Sequence, residues 1–226
     1  MCGRFAFFSP SEAVLRVFDV EDMPELKARY NIAPTTQGPV VREVEPGTRP
    51  LETMRWGLVP FWAKDEKIGN RMINARAETL GEKPAFRNAY KKHRCLVVAS
   101  GFYEWRKTGN GKQPYFIARP DGDPIGMAGL WESWRPKGAD EETEPLLTCT
   151  IVTKEANASI VDLHDRMPAI LNPDDFATWL DPKKTDKEEL HDLLDRAGKS
   201  VMTFHPISKA VNSPKNEGTD LIEPVA

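Results

Sequence analysis

The sequence predicts an α+β fold with an antiparallel, partly barrel-like β core and flanking helices. Short β-type runs dominate the middle of the chain, and turn sequences such as GNGK and PDGD join several of them. The runs are not separated by regular crossover helices, and no glycine-rich phosphate-binding motif follows any of them, which disfavours a Rossmann fold. With 226 residues, 40% of them hydrophobic and 29% charged, the chain can bury a large core.

Helix signals occur near the N-terminus and in the last third of the chain. Ser9 and Glu12 form a predicted capping box, and the apolar residues after them share one helix face. Asn172 precedes a second predicted helix, PDDFATWL. Thr185, three residues before Glu188, predicts the start of a third helix.

Strand signals lie between the helices. The predicted strands are GRFAFF, PVVREV, LETMRWG, RCLVVAS, FYEWRK, PYFIAR, IGMAGLW, LLTCTIVT and VMTFH. The segment INARAET is predicted to place Asn74, Arg76 and Glu78 on one face of a further strand, where they would line a groove. We expect a single domain over residues 1–226, with residues 208–226 as an irregular surface tail.

Several classes of protein are excluded by composition. No apolar run approaches the roughly 18 residues that cross a membrane, and the N-terminus lacks the features of a secretory signal. Cys2, Cys95 and Cys149 are odd in number and far apart, which argues against both a disulfide framework and a zinc site. The sequence therefore predicts a cytosolic or nuclear protein with no metal.

Charge is distributed unevenly along the chain. The formal net charge of −3 by itself argues against a polyanionic partner. Residues 1–119, however, carry 20 basic and 13 acidic side chains, whereas residues 120–226 carry 11 and 21. This asymmetry allows a basic face on an acidic protein, although acidic loops and helices in the second half would give the same counts.

Cys2 has distinctive chemistry because of its position. Removal of Met1 would leave a free α-amine and a thiol on one residue, with pKa values of about 7.7–8.0 and about 8.5. Such an aminothiol condenses with an aldehyde to an imine, after which the thiol closes a stable five-membered thiazolidine ring. The amine can also serve as the base for its own side chain, as in N-terminal nucleophile hydrolases. Position alone leaves an incidental cysteine as the alternative.

Glu104 and His164 are candidate partners for Cys2. Glu104 lies in GFYEW, where apolar surroundings would raise its pKa toward the range used in acid–base catalysis. Strand alternation would instead turn Glu104 outward, on the face opposite Tyr103 and Trp105. His164 lies in LHDRMP, a loop-like setting that suits a catalytic or a structural histidine equally.

Aromatic residues cluster in the segment MRWGLVPFWA. Trp56, Phe61 and Trp62 lie there beside glycine and proline in a loop-prone stretch. Exposed rings next to arginine would stack on nucleic-acid bases. The alternative is an aromatic loop that seals the core.

Six segments, taken in order, resemble a known family. They are MCGRF (1–5), YNIAPT (30–35), RWGLVPFWA (55–63), NARAET (74–79), RCLVVASGFYEW (94–105) and HDRMP (164–168). Together they resemble the SOS-response-associated peptidase family, whose members act as abasic-site sensors on single-stranded DNA. Val98 departs from the family pattern, in which a proline is expected before GFYEW, but the departure leaves the catalytic positions intact.

The resemblance implies roles for individual residues. Cys2 is the expected covalent nucleophile, Asn74 a positioning residue, Glu104 an acid or base near the terminal amine, and His164 an acid or base at the sugar. The expected DNA-binding residues are Arg4, Pro34, Trp56, Arg76, Trp105, Thr153 and Arg166. The arginines are expected to contact phosphates, and the tryptophans and Pro34 to lie near flanking bases.

Three functions are compatible with these residues. The leading one is a sensor and covalent trap of abasic sites, which forms a thiazolidine crosslink through Cys2 after loss of Met1, with lyase and autoproteolytic activity as further options. A cysteine peptidase with His164 as base and a non-catalytic single-stranded nucleic-acid-binding module are the alternatives. The expected partner is single-stranded DNA containing abasic sites, bound by a monomer without metal or cofactor. The expected location is the cytoplasm, beside the nucleoid in a bacterium, or the nucleus in a eukaryote.

Overall fold

Two β-sheets form the centre of the structure, and short helices connect some of their strands. The computed structural model describes residues 2–109, 111–140, 142–198 and 201–225. The strands are β1 (Phe5–Phe7), β2 (Arg29–Ile32), β3 (Gln37–Val41), β4 (Leu51–Trp56), β5 (Asn74–Arg76), β6 (Arg94–Ala99), β7 (Gly101–Thr108), β8 (Gly111–Ala118), β9 (Ile125–Trp134), β10 (Leu146–Glu155), β11 (Arg166–Pro168), β12 (Ile170–Leu171) and β13 (Thr203–Pro206). The α-helices are α1 (Ser11–Phe18), α2 (Arg87–Lys92), α3 (Phe176–Leu180) and α4 (Lys187–Arg196).

The larger sheet closes into a five-stranded barrel. Strands β4, β3, β6, β9 and β10 pair in that order, and β10 pairs back onto β4. The β4–β10 pairing is parallel and the other four are antiparallel, so the barrel is mixed. Strands β5 and β11 add to β10, and β12 adds to β9. The predicted partly barrel-like core is confirmed, with two parallel pairings that the sequence pattern did not indicate.

The smaller sheet brings the N-terminus beside β7. Its order is β13, β8, β7, β1 and β2, and all its pairings are antiparallel. Phe5 pairs with Phe102, and the backbone N–H of Tyr103 donates to the carbonyl oxygen of Arg4 at 3.0 Å. The residues before β1 therefore run alongside the part of β7 that carries Glu104.

The three predicted helices form, but two of their predicted caps do not. The Ser9 hydroxyl lies 2.7 Å from the hydroxyl oxygen of Ser100 and does not cap α1. Asp186 caps α4 by accepting two backbone N–H groups, so the predicted cap at Thr185 is wrong by one residue. The segment PDDFATWL forms a 3-10 turn, Pro173–Asp175, followed by α3. No helix among the described residues is both long and apolar enough to span a membrane.

The C-terminal segment packs more tightly than an irregular surface tail. It contains two single-turn 3-10 helices, Lys209–Asn212 and Thr219–Leu221, and the side chains of Val211 and Leu221 are fully buried. The side-chain amide of Asn31 in β2 donates to backbone carbonyls of this segment. The polar composition hid these anchors, because a few buried residues and backbone hydrogen bonds suffice to hold a short segment.

Arg94 is a buried cation that joins the ends of two helices to the barrel. Its residue surface is only 2% exposed, at the start of β6. Its guanidinium donates to the backbone carbonyls of Tyr90, Lys91, Trp179, Asp181 and Lys184. Most of these carbonyls lie at the C-terminal ends of α2 and α3, where the last C=O groups of a helix lack intrahelical donors, and that of Lys184 lies in the segment between α3 and α4.

We expect Arg94→Leu to lower the free energy of unfolding by about 3 kcal/mol, because buried carbonyls would lose a charged donor. Urea denaturation followed by circular dichroism measures the change. Arg135→Leu, at an exposed position, is the matched control and should change stability by less than about 0.5 kcal/mol. Equal stability of the two variants would contradict the bracing role of Arg94.

Candidate active site

Cys2 lies in the interior of the protein although it is the second residue of the chain. Its residue surface is fully buried, and its thiol donates to the carbonyl oxygen of Arg4 with an Sγ to oxygen distance of 3.8 Å. The carbonyl oxygen of Cys2 accepts a hydrogen bond of 2.8 Å from Nδ2 of Asn74. Burial raises the pKa of the Cys2 thiol well above its usual range, and the charge of Glu104 raises it further. The thiol is therefore protonated at neutral pH.

Asn74 reaches Cys2 because β5 is anchored on β10. In this parallel pairing Asn74 lies opposite Ile151, and Arg76 lies opposite Thr153. Oδ1 of Asn74 is buried and has no hydrogen-bond partner among the described residues. The amide thus fixes the backbone of Cys2 through Nδ2 and keeps one acceptor for a donor that enters the site.

Glu104 is buried in β7, with 2% of its residue surface exposed. Its neighbour Tyr103 is fully buried, so both faces of β7 are covered at this point. The outward, solvent-facing alternative for Glu104 is therefore wrong. Burial is the main cause that raises the pKa of Glu104, and the charge of Asp165 adds to the rise. A carboxyl group with a raised pKa exchanges protons more readily near neutral pH, as acid–base catalysis requires.

His164 lies in the turn that precedes β11. Its Nδ1 accepts a hydrogen bond of 2.9 Å from the backbone N–H of Arg166 and also lies 2.8 Å from Oδ1 of Asp165. One nitrogen cannot accept the first bond and donate to the second at the same time. Burial lowers the pKa of His164, which favours the neutral ring with Nδ1 as acceptor, and the Asp165 side chain is 86% exposed. In this tautomer Nε2 carries the proton and is the donor.

Arg166 has its terminal nitrogens bound within the protein. Nη1 and Nη2 donate to the two carboxylate oxygens of Glu78 at 2.6 and 3.0 Å, and Nη2 donates to the Thr153 carbonyl oxygen at 2.7 Å. These bonds to Arg166 are the main cause that lowers the pKa of Glu78, and the charge of the exposed Arg76 lowers it further. Glu78 is therefore an anion that already occupies part of the Arg166 guanidinium.

Arg4 is tied to the C-terminal segment. Its Nη1 donates to Oδ1 of Asn31 at 2.5 Å and to the carbonyl oxygen of Val211 at 2.8 Å. Burial lowers the pKa of Arg4 from its usual range. These contacts hold Arg4, whose carbonyl accepts the hydrogen bond of the Cys2 thiol, in place. The phosphate contact expected of Arg4 stays a prediction.

Several of the candidate residues lie near one another. Cys2 contacts Asn74 directly and lies within electrostatic range of Glu104. His164 and Trp105, the residue after Glu104, line the same surface cleft. Among the described residues, no group of three or more histidine, cysteine, aspartate or glutamate side chains is arranged to hold a metal ion.

The family model described as SOS response associated peptidase (SRAP) matches residues 1–214. The chain belongs to the SRAP family. The resemblance carried by the six sequence segments is thereby confirmed.

Relatives of this SRAP protein occur in bacteria and in vertebrates. The abasic site processing protein YoqW of Bacillus subtilis is 42% identical, over 99% of both chains. The abasic site processing protein HMCES of Gallus gallus is 36% identical, over 100% of this chain and 78% of its own. A crystal structure of a protein from Bacteroides thetaiotaomicron superposes with a TM-score of 0.80 at 26% identity, covering 100% of both chains.

Trp56 and Thr153 do not face the DNA-binding surface that the sequence predicts for them in this SRAP chain. Trp56 is fully buried, its Nε1 donates to the Ile73 carbonyl oxygen at 2.8 Å, and its ring packs edge-on against Phe5 at 5.2 Å. Thr153 is also fully buried, with Oγ1 lying 3.5 Å from the Ala75 carbonyl oxygen. Both expectations are corrected, because β4 and β10 are central strands whose side chains at these positions have no exposed surface.

The exposed aromatic side chains of the SRAP site lie elsewhere. Phe61 and Trp62, in the loop after β4, are 58% and 50% exposed. Trp105 is half-buried, and its Nε1 donates to Oδ1 of Asn212 at 2.8 Å, while Pro34 is half-buried as well. The aromatic segment predicted Phe61 and Trp62 as candidates for base stacking, but the DNA-binding residues implied by the family resemblance included only Trp56 from that segment. Their position after Pro60, outside any alternating strand pattern, is the signal that separates them from Trp56.

The raised pKa of Glu104 predicts a pH-dependent cost to stability. The folded state holds the proton of the Glu104 carboxyl more tightly than the unfolded state. The stability that Glu104 contributes is therefore lost as pH rises from 4.5, the ordinary pKa of the carboxyl, through the raised pKa of the folded state. We expect Glu104→Gln to gain stability relative to wild type as pH rises from about 4 to 7. Thermal unfolding of both proteins across this range measures the difference, and a constant difference would contradict the raised pKa.

Proposed function

We propose that this chain senses abasic sites in DNA and traps them covalently at Cys2 once Met1 has been removed. One observation carries the proposal: Cys2 is buried, its carbonyl is held by Asn74, and the carboxyl of Glu104 acts on its thiol. A residue whose amine and thiol are both fixed beside a proton-transfer group is suited to capture an aldehyde. The relatives YoqW and HMCES are named abasic site processing proteins, which supports this substrate.

The proposed reaction uses both nucleophiles of Cys2. The unprotonated amine adds to the C1′ aldehyde of the ring-opened sugar, and loss of water gives an imine. The thiol then adds across the C=N bond, so that sulfur bonds to C1′ and the proton of the thiol reaches nitrogen. The thiazolidine product joins protein to DNA. No atom changes its oxidation state, because the C–O bonds of C1′ are only exchanged for C–N and C–S bonds.

The neighbouring residues supply the proton transfers. Glu104, with its raised pKa, accepts and returns protons at the amine and thiol. His164 carries its proton on Nε2 and donates it to the ring oxygen of the closed sugar; the bond between C1′ and the ring oxygen breaks, the C1′ hydroxyl releases its proton to solvent, and the aldehyde is formed. Asn74 is a positioning residue that fixes the Cys2 backbone through its 2.8 Å hydrogen bond.

Peptidase chemistry fits the site less well than aldehyde capture. Attack on an amide by cysteine requires a thiolate, whereas burial raises the pKa of the Cys2 thiol. Aldehyde capture starts from the amine and uses the thiol in its protonated form. We therefore propose that any peptide cleavage is limited to removal of Met1. The imine can also permit lyase cleavage of the strand before the thiol closes the ring.

Single-stranded DNA is the proposed partner because of the exposed rings. Phe61, Trp62 and the half-buried Trp105 stack best on bases that have left a duplex. The exposed Arg76 provides a phosphate contact. Arg166 provides a second when part of its guanidinium is released from Glu78. One chain contains all these residues, so a monomer suffices. We propose that it acts where DNA lies, beside a bacterial nucleoid or in a nucleus.

Cys2→Ala should abolish the heat-stable crosslink to an abasic single-stranded oligonucleotide, because without the sulfur atom the imine cannot close to a thiazolidine ring. Cys2→Ser should leave only an imine, detectable after borohydride reduction. Denaturing gels and intact mass measure both. Cys95→Ala and Cys149→Ala, at two other buried cysteines, are the matched controls and should crosslink like wild type. A stable adduct formed undiminished by Cys2→Ala would refute the proposal.

Blocking the amine of Cys2 should prevent crosslinking without abolishing DNA binding. We expect a protein with a cleavable N-terminal tag to remain unreacted until a protease exposes Cys2, and then to crosslink. The same tag at the C-terminus is the control. Intact mass verifies the N-terminus in each sample. Crosslinking at the wild-type rate with the tag still attached would exclude the aminothiol mechanism and favour attack by the thiol alone.

A further inference from the structure

A surface cleft of about 350 Å³ lies beside His164. Trp105, Arg106 and Lys107 of β7 line one side, and residues 161–165 line the other. The reaction proposed above uses His164 at the edge of this cleft but assigns nothing to the basic residues on its β7 side.

The hairpin of β7 and β8 holds two lysines opposite each other. Lys107 pairs with Lys112 across the strands, and both residues are exposed. Like charges directly opposite on neighbouring antiparallel strands are destabilising. Within the part of the chain that the structure describes, neither ammonium forms an ion pair with a carboxylate. The hairpin thus keeps an unfavourable pair of cations that an anion would relieve.

Lys107 lines the cleft, Lys112 lies across the hairpin from it, and both lie within electrostatic range of His164. Burial is the main cause that lowers the pKa of His164, Lys112 and Lys107 lower it further, and Asp165 opposes them. Strand alternation places Trp105 and Lys107 on the same face of β7, with Lys112 across from Lys107. Aromatic rings combined with cations are a common means of binding a single strand of nucleic acid.

The other charged groups of the cleft limit where an anion can bind. Asp162 and Asp165 lie on the side opposite the hairpin, so an anion is favoured only near the lysines. The guanidinium of Arg106 lies 4.9 Å from the ring centroid of Tyr115, and its Nη1 donates to the Tyr115 hydroxyl at 3.3 Å. Arg106 therefore braces the hairpin, and Lys107 and Lys112 are the cations available to a ligand.

We propose that Lys107 and Lys112 form a binding site for a phosphodiester of the DNA strand, beside His164 and beyond the abasic nucleotide. This inference rests on the proposed function, because it takes the bound strand to pass through the active site. A phosphodiester carries one negative charge and several acceptor oxygens, which two lysine ammonium groups can bind as point charges, without the planar fork of an arginine guanidinium. The site orders the strand where it leaves the lesion.

Non-covalent binding tests the site without the reaction. In the Cys2→Ala background, fluorescence anisotropy measures the affinity for an intact single-stranded oligonucleotide between about 50 and 200 mM salt. We expect Lys107→Gln with Lys112→Gln to weaken binding about tenfold at the lower salt, and to reduce the slope of log affinity against log salt by about 0.7 to 1.4. Lys91→Gln with Lys92→Gln, an exposed pair outside the cleft that removes the same charge, should leave the slope unchanged.

A scan with single methylphosphonate linkages, each of which removes one phosphate charge, locates the contact. The protein with both lysines should lose affinity at one or two linkages on one side of the central nucleotide. The glutamine variant should lose nothing further at those linkages, since the contact is already absent. Losses that are equal in both proteins at every linkage would overturn the proposal, as would a salt slope that matches that of the Lys91 and Lys92 control.

Stability measurements separate a binding role from a structural one. If the lysines only balance Asp162 and Asp165, the glutamine variant should unfold at lower urea concentration and bind DNA with an unchanged salt slope, which contradicts the proposal. If the lysines bind phosphate, the variant should be at least as stable as wild type, because the like-charge pair is relieved. Should the double variant fail to fold, the single variants Lys107→Gln and Lys112→Gln undergo the same scan.

The outcome is independent of the crosslinking chemistry. A protein that binds single strands through the two lysines but forms no adduct with abasic DNA would refute the proposed function and retain the phosphate site. A protein that forms the adduct, but whose losses of affinity in the methylphosphonate scan are the same with and without the two lysines, would refute the phosphate site alone.

Discussion

The pairing of strand β10 on both of its edges is the constraint on which the rest of the structure depends. Its first half closes the barrel between β9 and β4, and its second half carries β5 and β11. Strand β5 brings Asn74 to the backbone of Cys2, and β11 begins at Arg166, whose N–H orients His164. A shift of one residue in either pairing would turn these side chains to the opposite face. Barrel closure and site geometry therefore have the same origin.

Burial adjusts the chemistry of the site in one direction. It raises the pKa values of Cys2 and Glu104 and lowers that of His164, so each group is moved toward its neutral form. A neutral thiol, a carboxyl with a raised pKa and an imidazole with one donor N–H suit a stepwise condensation. They suit thiolate attack on an amide poorly.

Charge and aromatic surface surround this neutral centre. Arg76 and the exposed rings of Phe61 and Trp62 lie on segments that follow β4 or belong to β5, whereas Trp105 extends from β7. Glu78 offsets part of the basic charge through Arg166, which limits non-specific attraction of polyanions. The modest net charge of the SRAP chain is therefore compatible with a DNA partner.

The sequence by itself determined the fold class, most strands, the three longer helical segments and the candidates Cys2, Asn74, Glu104 and His164, because alternation, turn chemistry and ordered motifs are local signals. It did not determine the caps of α1 and α4. The Ser9 hydroxyl contacts Ser100, which is distant in sequence, and Asp186 caps α4 in place of the adjacent Thr185. Only the tertiary structure decided which aromatic residues are exposed, since the burial of Trp56 depends on strands far apart in sequence. For the same reason it alone decided that both faces of β7 are covered, which places Glu104 in an environment that raises its pKa.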